Sequence, residues 1–127
     1  MKRIISITLC SLLYYIGIAS NLEIDGIYYI LDENTQTATV TYKGNAADWM
    51  FDATGETLYT GNVIIPEKVT YNTKEYTVTT LGDDAFAGCK QLHSLSLPKN
   101  ISSIGNGTFT QCYGLQVISV RSEEHTS

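Results

Sequence analysis

A repeat of 23 residues is the feature of this sequence that most limits its fold. Segments 81–97 and 104–120 align at that offset without a gap, sharing Gly, Phe, Cys, Leu and Ser residues and exchanging Leu, Ile and Val at other apolar positions. A period of roughly 20–50 residues is typical of stacked repeat architectures, in which each unit buries its apolar face only against a neighbour. The sequence therefore predicts a stack of similar units.

Each unit ends in the pattern Leu-x-x-Leu-x-Leu or a conservative equivalent. Because alternate residues of a strand face opposite sides, Leu95 and Leu97 are predicted to face a core and Ser96 to face away from it. The preceding stretch 86–92 fits about one turn of helix. Abundant Tyr, Thr, Val and Ile favour strands elsewhere. The predicted fold class is therefore an α/β repeat that is rich in strands.

The two units resemble the BspA-like leucine-rich repeats of bacterial surface proteins. The resemblance covers residues 78–120 and is carried by the pattern Ile/Leu-Gly-x-x-Ala/Thr-Phe-x-x-Cys-x-x-Leu-x-x-Leu/Ile-x-Leu/Val. One departure is Gln111, which stands where the first unit has Gly88. The resemblance implies a leucine-rich-repeat solenoid.

A third, irregular unit precedes the two regular ones. Residues 61–66 resemble the strand and proline that end a repeat, and nine extra residues follow before the next unit begins. The extra residues are predicted to form a hairpin with its turn at Asn72-Thr73-Lys74. Leucine-rich repeats are thus assigned to residues 61–120.

An N-terminal β cap with an insertion is predicted over residues 21–60. The end of a repeat array exposes its core unless another element covers it. Residues 22–31 and 37–42 are strand-like and flank a turn at 32–36, which predicts a β-hairpin stacked on the first unit.

Three adjacent large apolar residues lie in the insertion, which spans residues 46–60. At least one of them is expected to pack onto the cap, and the alternative is a platform that stacks a ligand. They are Trp49, Met50 and Phe51.

The first twenty residues have the layout of a secretory signal peptide. A positive segment, 1–3, precedes the apolar run Ile4–Ile18, and small residues at Gly17 and Ala19 allow cleavage after Ala19, with Ser20 as the second choice. The apolar run is short for a membrane-spanning helix. The remaining chain is expected to be secreted or displayed on the bacterial surface, without a membrane span.

Residues 121–127 do not continue the repeat. Their sequence, Arg-Ser-Glu-Glu-His-Thr-Ser, matches the translation of a common short-read sequencing adapter codon for codon. The seven residues are therefore expected to be non-biological, which leaves the repeat array truncated after Val120.

The sequence predicts no catalytic residue, no metal site and no cofactor. Cys89 and Cys112 occupy equivalent positions and are expected to be small buried residues in a ladder, while export and the spacing of neighbouring coils also permit a disulfide. His93 is expected on the side of its strand away from the core, without an Asn or Asp to orient it as the base of a Cys–His pair. Asp83 and Asp84 are expected to form a solvated turn.

Charge and resemblance together indicate the class of partner. The formal net charge of −5, without a basic stripe, argues against nucleic acid. By resemblance, the predicted function is protein binding or adhesion, with host matrix or surface proteins as candidate partners. The alternative is a structural spacer or targeting domain of a longer secreted protein, which a hydrolase domain could accompany. The candidate contacts are His93, Ser94, Ser96, Gln116, Val117 and Ser119.

Overall fold

Short strands make up most of the secondary structure in the computed structural model of the protein, which describes residues 21–44 and 48–122. The predicted signal peptide, 1–20, and residues 123–127 of the predicted tail lie outside the described residues. A 3-10 helix covers Asp48–Met50. The described strands are β1 (Leu22–Ile24), β2 (Ile27–Asp32), β3 (Thr37–Thr41), β4 (Gly61–Ile64), β5 (Lys68–Tyr71), β6 (Lys74–Leu81), β7 (Leu92–Leu97), β8 (Ser103–Ile104) and β9 (Val117–Val120).

The described strands form two sheets. In the first sheet the order is β1-β2-β3-β6-β5, and β8 also pairs with β6. In the second sheet β4, β7 and β9 lie side by side and all run in parallel. Equivalent segments of stacked units run in the same direction, so parallel pairing is what a repeat array requires.

The N-terminal segment forms two successive hairpins. Strands β2 and β3 pair antiparallel around a turn at 33–36, which confirms the predicted hairpin. The prediction of one continuous strand over 22–31 is wrong, because Asp25 (φ 51°) and Gly26 (φ 87°) turn the chain between β1 and β2. Asp-Gly favours the two left-handed conformations of a tight hairpin turn, and this local signal outweighs the strand-like residues around it.

Strand β3 joins the hairpin to the repeats. It pairs in parallel with β6, where Ala38 lies opposite Val78 and Val40 lies opposite Leu81. All four side chains are fully buried. The hairpin and the repeats therefore share one continuous apolar core.

The predicted hairpin after the irregular unit is confirmed. Strands β5 and β6 pair antiparallel, and Asn72 (φ 50°) and Thr73 (φ 64°) form the turn between them. Two consecutive left-handed residues give a turn whose twist matches that of the strands.

The 23-residue offset of the sequence appears directly in the strand pairing. Leu95 of β7 lies opposite Ile118 of β9, and Leu81 of β6 lies opposite Ile104 of β8. The turns stack in the same way, since the N–H of Phe86 donates to the carbonyl of Thr108 at 2.9 Å. Consecutive units are therefore hydrogen-bonded to one another at both their strands and their turns.

The prediction of a helical turn at 86–92 is wrong. The segment instead contains bonds between residues three apart, such as the N–H of Cys89 donating to the carbonyl of Phe86 at 3.1 Å. Asp84 (φ 56°) and Gly88 (φ 73°) are both left-handed, and a right-handed helix cannot pass through such residues. Each repeat in the described part of the chain is thus built from strands and turns, so the α component of the predicted fold class does not appear there.

The insertion packs against the turns of the first regular unit. A Cβ built on Gly88 would lie 2.5 Å from the Cβ of Trp49, so only glycine fits at this contact. Lys90 Nζ donates to the carbonyl of Asp52 (3.2 Å), which fastens the insertion to the same turns. Of the three adjacent apolar residues only Trp49 packs, whereas Met50 and Phe51 are 61% and 84% exposed.

One carboxylate organises the loop inside the insertion. Asp52 accepts hydrogen bonds from the Oγ1 of Thr57 (2.6 Å), the N–H of Thr57 (2.9 Å) and the N–H of Gly55 (2.9 Å). These bonds, led by the one from the Thr57 side chain, hold the pKa of the Asp52 carboxyl well below its usual range.

Candidate binding surface

The outward face of β4, β7 and β9 is the candidate binding surface. Along each strand the side chains alternate, so that Leu95 of β7 is buried beneath the sheet while its neighbours Ser94 and Ser96 point out. Strand pairing then sets the outward residues beside one another. They form two rows across the sheet, Asn62-Ser94-Val117 and Ile64-Ser96-Ser119.

The six residues predicted as contacts all lie on two adjacent strands or at their entry. His93 and Gln116 are neighbours at the strand starts, where the N–H of Gln116 donates to the carbonyl of His93 at 2.9 Å. Ser94 and Ser96 on β7 are half-buried, whereas His93, Gln116, Val117 and Ser119 are exposed.

The serine hydroxyls of β7 are already engaged within the protein. Ser94 Oγ donates to Asn62 Oδ1 at 2.8 Å, which links the first two strands across their outward face. Ser96 Oγ accepts a hydrogen bond from Arg121 Nη1 at 2.8 Å. The side chains on this surface that are exposed and make no such bond therefore include Ile64 of β4 and Val117 and Ser119 of β9.

Arg121 crosses the end of the parallel sheet. Its guanidinium donates to the carbonyl of Ser96 (3.1 Å) and to that of Ile65, and its backbone N–H donates to the carbonyl of Leu97 (2.8 Å). The residue stands at the position that Pro98 holds in the preceding unit. It thus extends the β9 ladder by one residue beyond the last strand position.

Asn62 and Ile64 belong to this surface but were not among the predicted contacts. Both side chains are exposed on β4 and lie in register with Ser94 and Ser96. The sequence contained the information needed to find them, because residues 61–66 align with the strand end of a repeat. The same alternation, applied to that strand, would have placed both residues outward.

The two cysteines in the described residues are both free. Cys89 is buried, as predicted, and Cys112 is half-buried with its Sγ 2.9 Å from the carbonyl oxygen of Phe86. Burial raises the pKa of the Cys89 thiol to about 12 and also raises that of Cys112. Both thiols are therefore protonated, and poorly nucleophilic, at neutral pH.

Two further observations concern metals and membranes. Among residues 21–44 and 48–122, no group of three or more His, Cys, Asp or Glu side chains is placed to hold a metal ion. Within the same ranges, no helix has the length and apolar character needed to cross a membrane.

The architecture defines the class of protein. Parallel strands that lie one repeat apart, with rows of leucine and phenylalanine packed behind them, are the features of a leucine-rich-repeat type of fold. The family model for the BspA type leucine rich repeat region matches residues 62–127, just over half of the chain. The chain belongs to this family, which confirms the resemblance seen in the sequence.

Solved structures of bacterial proteins share the fold. A leucine rich cell surface protein from Faecalibacterium prausnitzii is 26% identical with a TM-score of 0.60, over 81% of this chain and 24% of that protein. A leucine-rich repeat protein from Bacteroides ovatus is 26% identical with a TM-score of 0.60, over 76% and 22%. Another from Bacteroides capillosus is 22% identical with a TM-score of 0.58, over 80% and 65%, and shows the fold alone. This chain thus spans less than two thirds of each protein.

A comparison with curated proteins finds no match.

Proposed function

We propose that this protein is a non-enzymatic binding module of the bacterial cell surface, and that it holds a protein ligand on the outward face of β4, β7 and β9. The observation that carries the proposal is the pair of side-chain rows that run in register across the three strands. Neighbouring strands lie about 4.8 Å apart, so the rows form one unbroken surface. Leucine-rich repeats generally bind proteins through such surfaces, whose area grows with each added unit.

The chemistry of the surface fits a protein ligand better than a charged polymer. Hydroxyl and amide groups alternate with apolar side chains, of which Ile64 and Val117 are 66% and 54% exposed. Mixed polar and apolar surface of this kind is what protein interfaces use. The rows contain no lysine or arginine with which to neutralise phosphates, which supports the absence of a nucleic-acid partner.

The proposal includes a location and an arrangement. Residues 1–20 would direct export, and the mature chain would form a solenoid whose first coil is covered by the β2–β3 hairpin as an N-terminal cap. The shared core of β3 and β6 supports the capping role. The cell-surface description of the similar protein from Faecalibacterium prausnitzii supports the location. Host matrix or surface proteins are the proposed ligands for adhesion.

The test is capture of host extracellular-matrix proteins by the immobilised chain, compared with a variant of the sheet face. Val117→Glu combined with Ser119→Glu puts two charges on exposed positions of β9. We expect capture to weaken at least about tenfold, because a ligand would have to desolvate both carboxylates. Ser96 is left intact, since its hydroxyl holds Arg121.

The matched control is Thr70→Glu, an exposed position on β5 of the other sheet. It should capture ligand as well as the unaltered chain does, and circular dichroism should be the same for all three proteins. Equal capture by the face variant would remove the sheet face from consideration. No capture by any of the folded proteins would favour the spacer or targeting role instead.

A further inference from the structure

The outer edge of β4 is unpaired within the described part of the chain. On its inner side, the N–H groups of Gly61 and Ile65 donate to the carbonyls of Gln91 (2.8 Å) and Ser96 (2.9 Å). Main-chain groups of successive strand residues point to opposite edges. The N–H and C=O groups of the intervening Asn62 and Ile64 therefore point away from β7, into space beside the sheet.

A groove of about 300 Å³ lies along this edge. One wall is β4, and the other is the turn between β1 and β2. The wall formed by the turn is open at Gly26, where a Cβ would meet no atom within 4 Å. The remaining lining residues include Asp25, Ile27, Lys43, Asn62, Val63 and Ile64.

The floor of the groove is fixed to the hairpin. Leu58 and Tyr59 form it, and both are buried. The Tyr59 hydroxyl donates to the carbonyl of Thr41 at 2.7 Å and accepts the N–H of Tyr28 at 3.0 Å. Two hydrogen bonds thus fix the Tyr59 side chain, and with it the floor of the groove, to the β2–β3 hairpin.

Two other edge strands in the described residues, β1 and β5, carry features that discourage pairing with another chain. On β5, Lys68 forms an ion pair with Glu75 at 3.5 Å, and β1 has only three residues, one of them Glu23. Charges and short length are common protections of sheet edges. The outward-facing residues of β4 are instead uncharged, and Ile64 is 66% exposed. This edge lacks the protection that β1 and β5 have. The outer edge of β9 is also uncharged, but it is β4 that borders the groove.

We propose that an extended segment of a partner protein adds to β4 as a further strand, in the groove between β4 and the β1–β2 turn. The two N–H and two C=O groups of Asn62 and Ile64 form a row that a polypeptide main chain complements, which is the recognition mode of strand addition. Asp25 and Lys43 place one charge of each sign on the lining, so the segment can carry a complementary charge. This site uses the backbone of β4 and goes beyond the sheet-face function proposed above.

The test uses linear random peptides displayed on phage and selected on the immobilised full chain, with the best binder then synthesised as the probe. Ile64→Pro removes the N–H that points into the groove, while the N–H groups of Gly61 and Ile65 stay bonded to β7. Proline is tolerated on edge strands where its nitrogen faces solvent. We expect the probe to bind this variant about tenfold more weakly, as the loss of one well-formed hydrogen bond gives.

Ile64→Ser is the matched control, because it changes the side chain and keeps the N–H. Because the Ile64 side chain lines the groove, the serine variant measures the contribution of that side chain. The proline variant should bind the probe about tenfold more weakly than the serine variant, and equal binding by the two would show that the N–H makes no hydrogen bond to the probe. Val117→Glu with Ser119→Glu should also leave probe binding unchanged. Failure of the sheet-face function and failure of the edge site are therefore distinguishable.

Amide hydrogen exchange of the unaltered chain gives a second measurement, which decides the matter if the proline variant does not fold. The probe should slow exchange at the amides of Asn62 and Ile64 and leave those of Val117 and Ser119 unchanged. The proposal is overturned if no selected peptide binds, if the folded proline variant binds equally well, or if protection falls on β9 instead. A second copy of the chain occupying the edge without peptide, seen as dimerisation abolished by Ile64→Pro, would also overturn it.

Discussion

The ring of Phe86 lies parallel to the ring of Phe109, with 6.0 Å between their centroids and 8° between their planes. The two residues are 23 positions apart, and they occupy the same place in consecutive repeats. Phe86 also contacts Tyr59, at 5.0 Å between the centroids and a tilt of 50°. Phe86 therefore contacts two rings and is fully buried, whereas Phe109 contacts one of them and is half-buried.

This difference in burial predicts that replacing each phenylalanine by alanine lowers the free energy of unfolding by different amounts. Phe86→Ala should lower the free energy of unfolding by about 3–5 kcal/mol, the usual cost of emptying a fully enclosed phenylalanine site. Phe109→Ala should cost clearly less, because a half-buried ring loses fewer contacts and water can fill the space. Urea unfolding of both variants measures the difference. A larger loss of unfolding free energy for Phe109→Ala than for Phe86→Ala would show that Phe109 is the more tightly packed of the two rings, contrary to the structure.

The left-handed positions of the repeats lead to a stabilising substitution. Gly88 (φ 73°) and Gln111 (φ 57°) are equivalent, but only the first has the residue that adopts this conformation without strain. Gln111→Gly should remove about 1 kcal/mol of strain, partly offset by the greater freedom of glycine in the unfolded chain. We expect a net gain of several tenths of a kcal/mol in thermal or urea unfolding.

Gln111→Ala provides the control for that prediction. It shortens the same side chain but keeps the Cβ that makes the left-handed conformation unfavourable. It should give no gain in stability. If alanine stabilised the protein as much as glycine does, backbone strain would not be the cause.

The loop organised by Asp52 predicts a dependence of stability on pH. Its pKa is lower in the folded protein than the ordinary value of 3.8 because of the bonds from Thr57 and Gly55. A depressed pKa contributes stability that is fully present above the unfolded value and is lost as the pH falls toward the folded value. Asp52→Asn should therefore lower the melting temperature at neutral pH, and the difference from the unaltered chain should shrink below about pH 4.

Glu56→Gln, in the same loop, is the comparison for the Asp52 variant. Thermal melts of all three proteins between neutral pH and about pH 2.5 pass through the unfolded-state pKa of the carboxyl and cover the upper part of the range in which the depressed carboxyl titrates. The gap between Asp52→Asn and the unaltered chain should narrow more than the gap for Glu56→Gln. A gap for Asp52→Asn that stays constant down to the acid limit would refute the role of these hydrogen bonds.

Local signals explain which parts of the fold could be predicted from the sequence. The 23-residue offset, the hairpin turn at Asn72-Thr73 and the β2–β3 hairpin all depend on residues close in sequence, and all three appear in the structure. The turn at Asp25-Gly26 is equally local. It was missed because more weight was given to the strand-like residues on both sides than to the Asp-Gly pair. The helical turn at 86–92 was wrong because the spacing of apolar residues does not reveal backbone handedness.

The candidate surface was predictable in part for a different reason. Alternate side chains of a strand face opposite sides of the sheet. The outward position of Ser96 and Ser119 could therefore be predicted without knowing how distant segments pack. The bond from Ser96 to Arg121 joins residues 25 apart, and the groove beside β4 depends on where the β1–β2 turn lies. Such contacts between distant segments are set by packing, which the repeat pattern alone does not contain.

The apolar residues of β9 predict how the chain responds to an added repeat. Ile118 and Val120 are 46% and 64% exposed, whereas the equivalent Leu95 and Leu97 are 1% and 3% exposed beneath a neighbouring strand. Inserting a second copy of residues 98–120 directly after Val120 would give β9 the neighbour that β7 has. Covering the two half-exposed side chains should contribute about 1.5–3 kcal/mol.

For a domain of this size, such a gain corresponds to a rise in melting temperature of at least about 5 °C. An unpaired strand with exposed apolar residues favours pairing with another chain, so covering β9 with a folded repeat should also reduce self-association, which analytical ultracentrifugation measures. A control insert of equal length, with the strand positions that copy Ile118 and Val120 changed to Ser, tests whether apolar burial is responsible. Equal melting temperatures for the two inserts would show that stacking of apolar strand residues does not stabilise this array, contrary to the additive behaviour expected of repeat proteins.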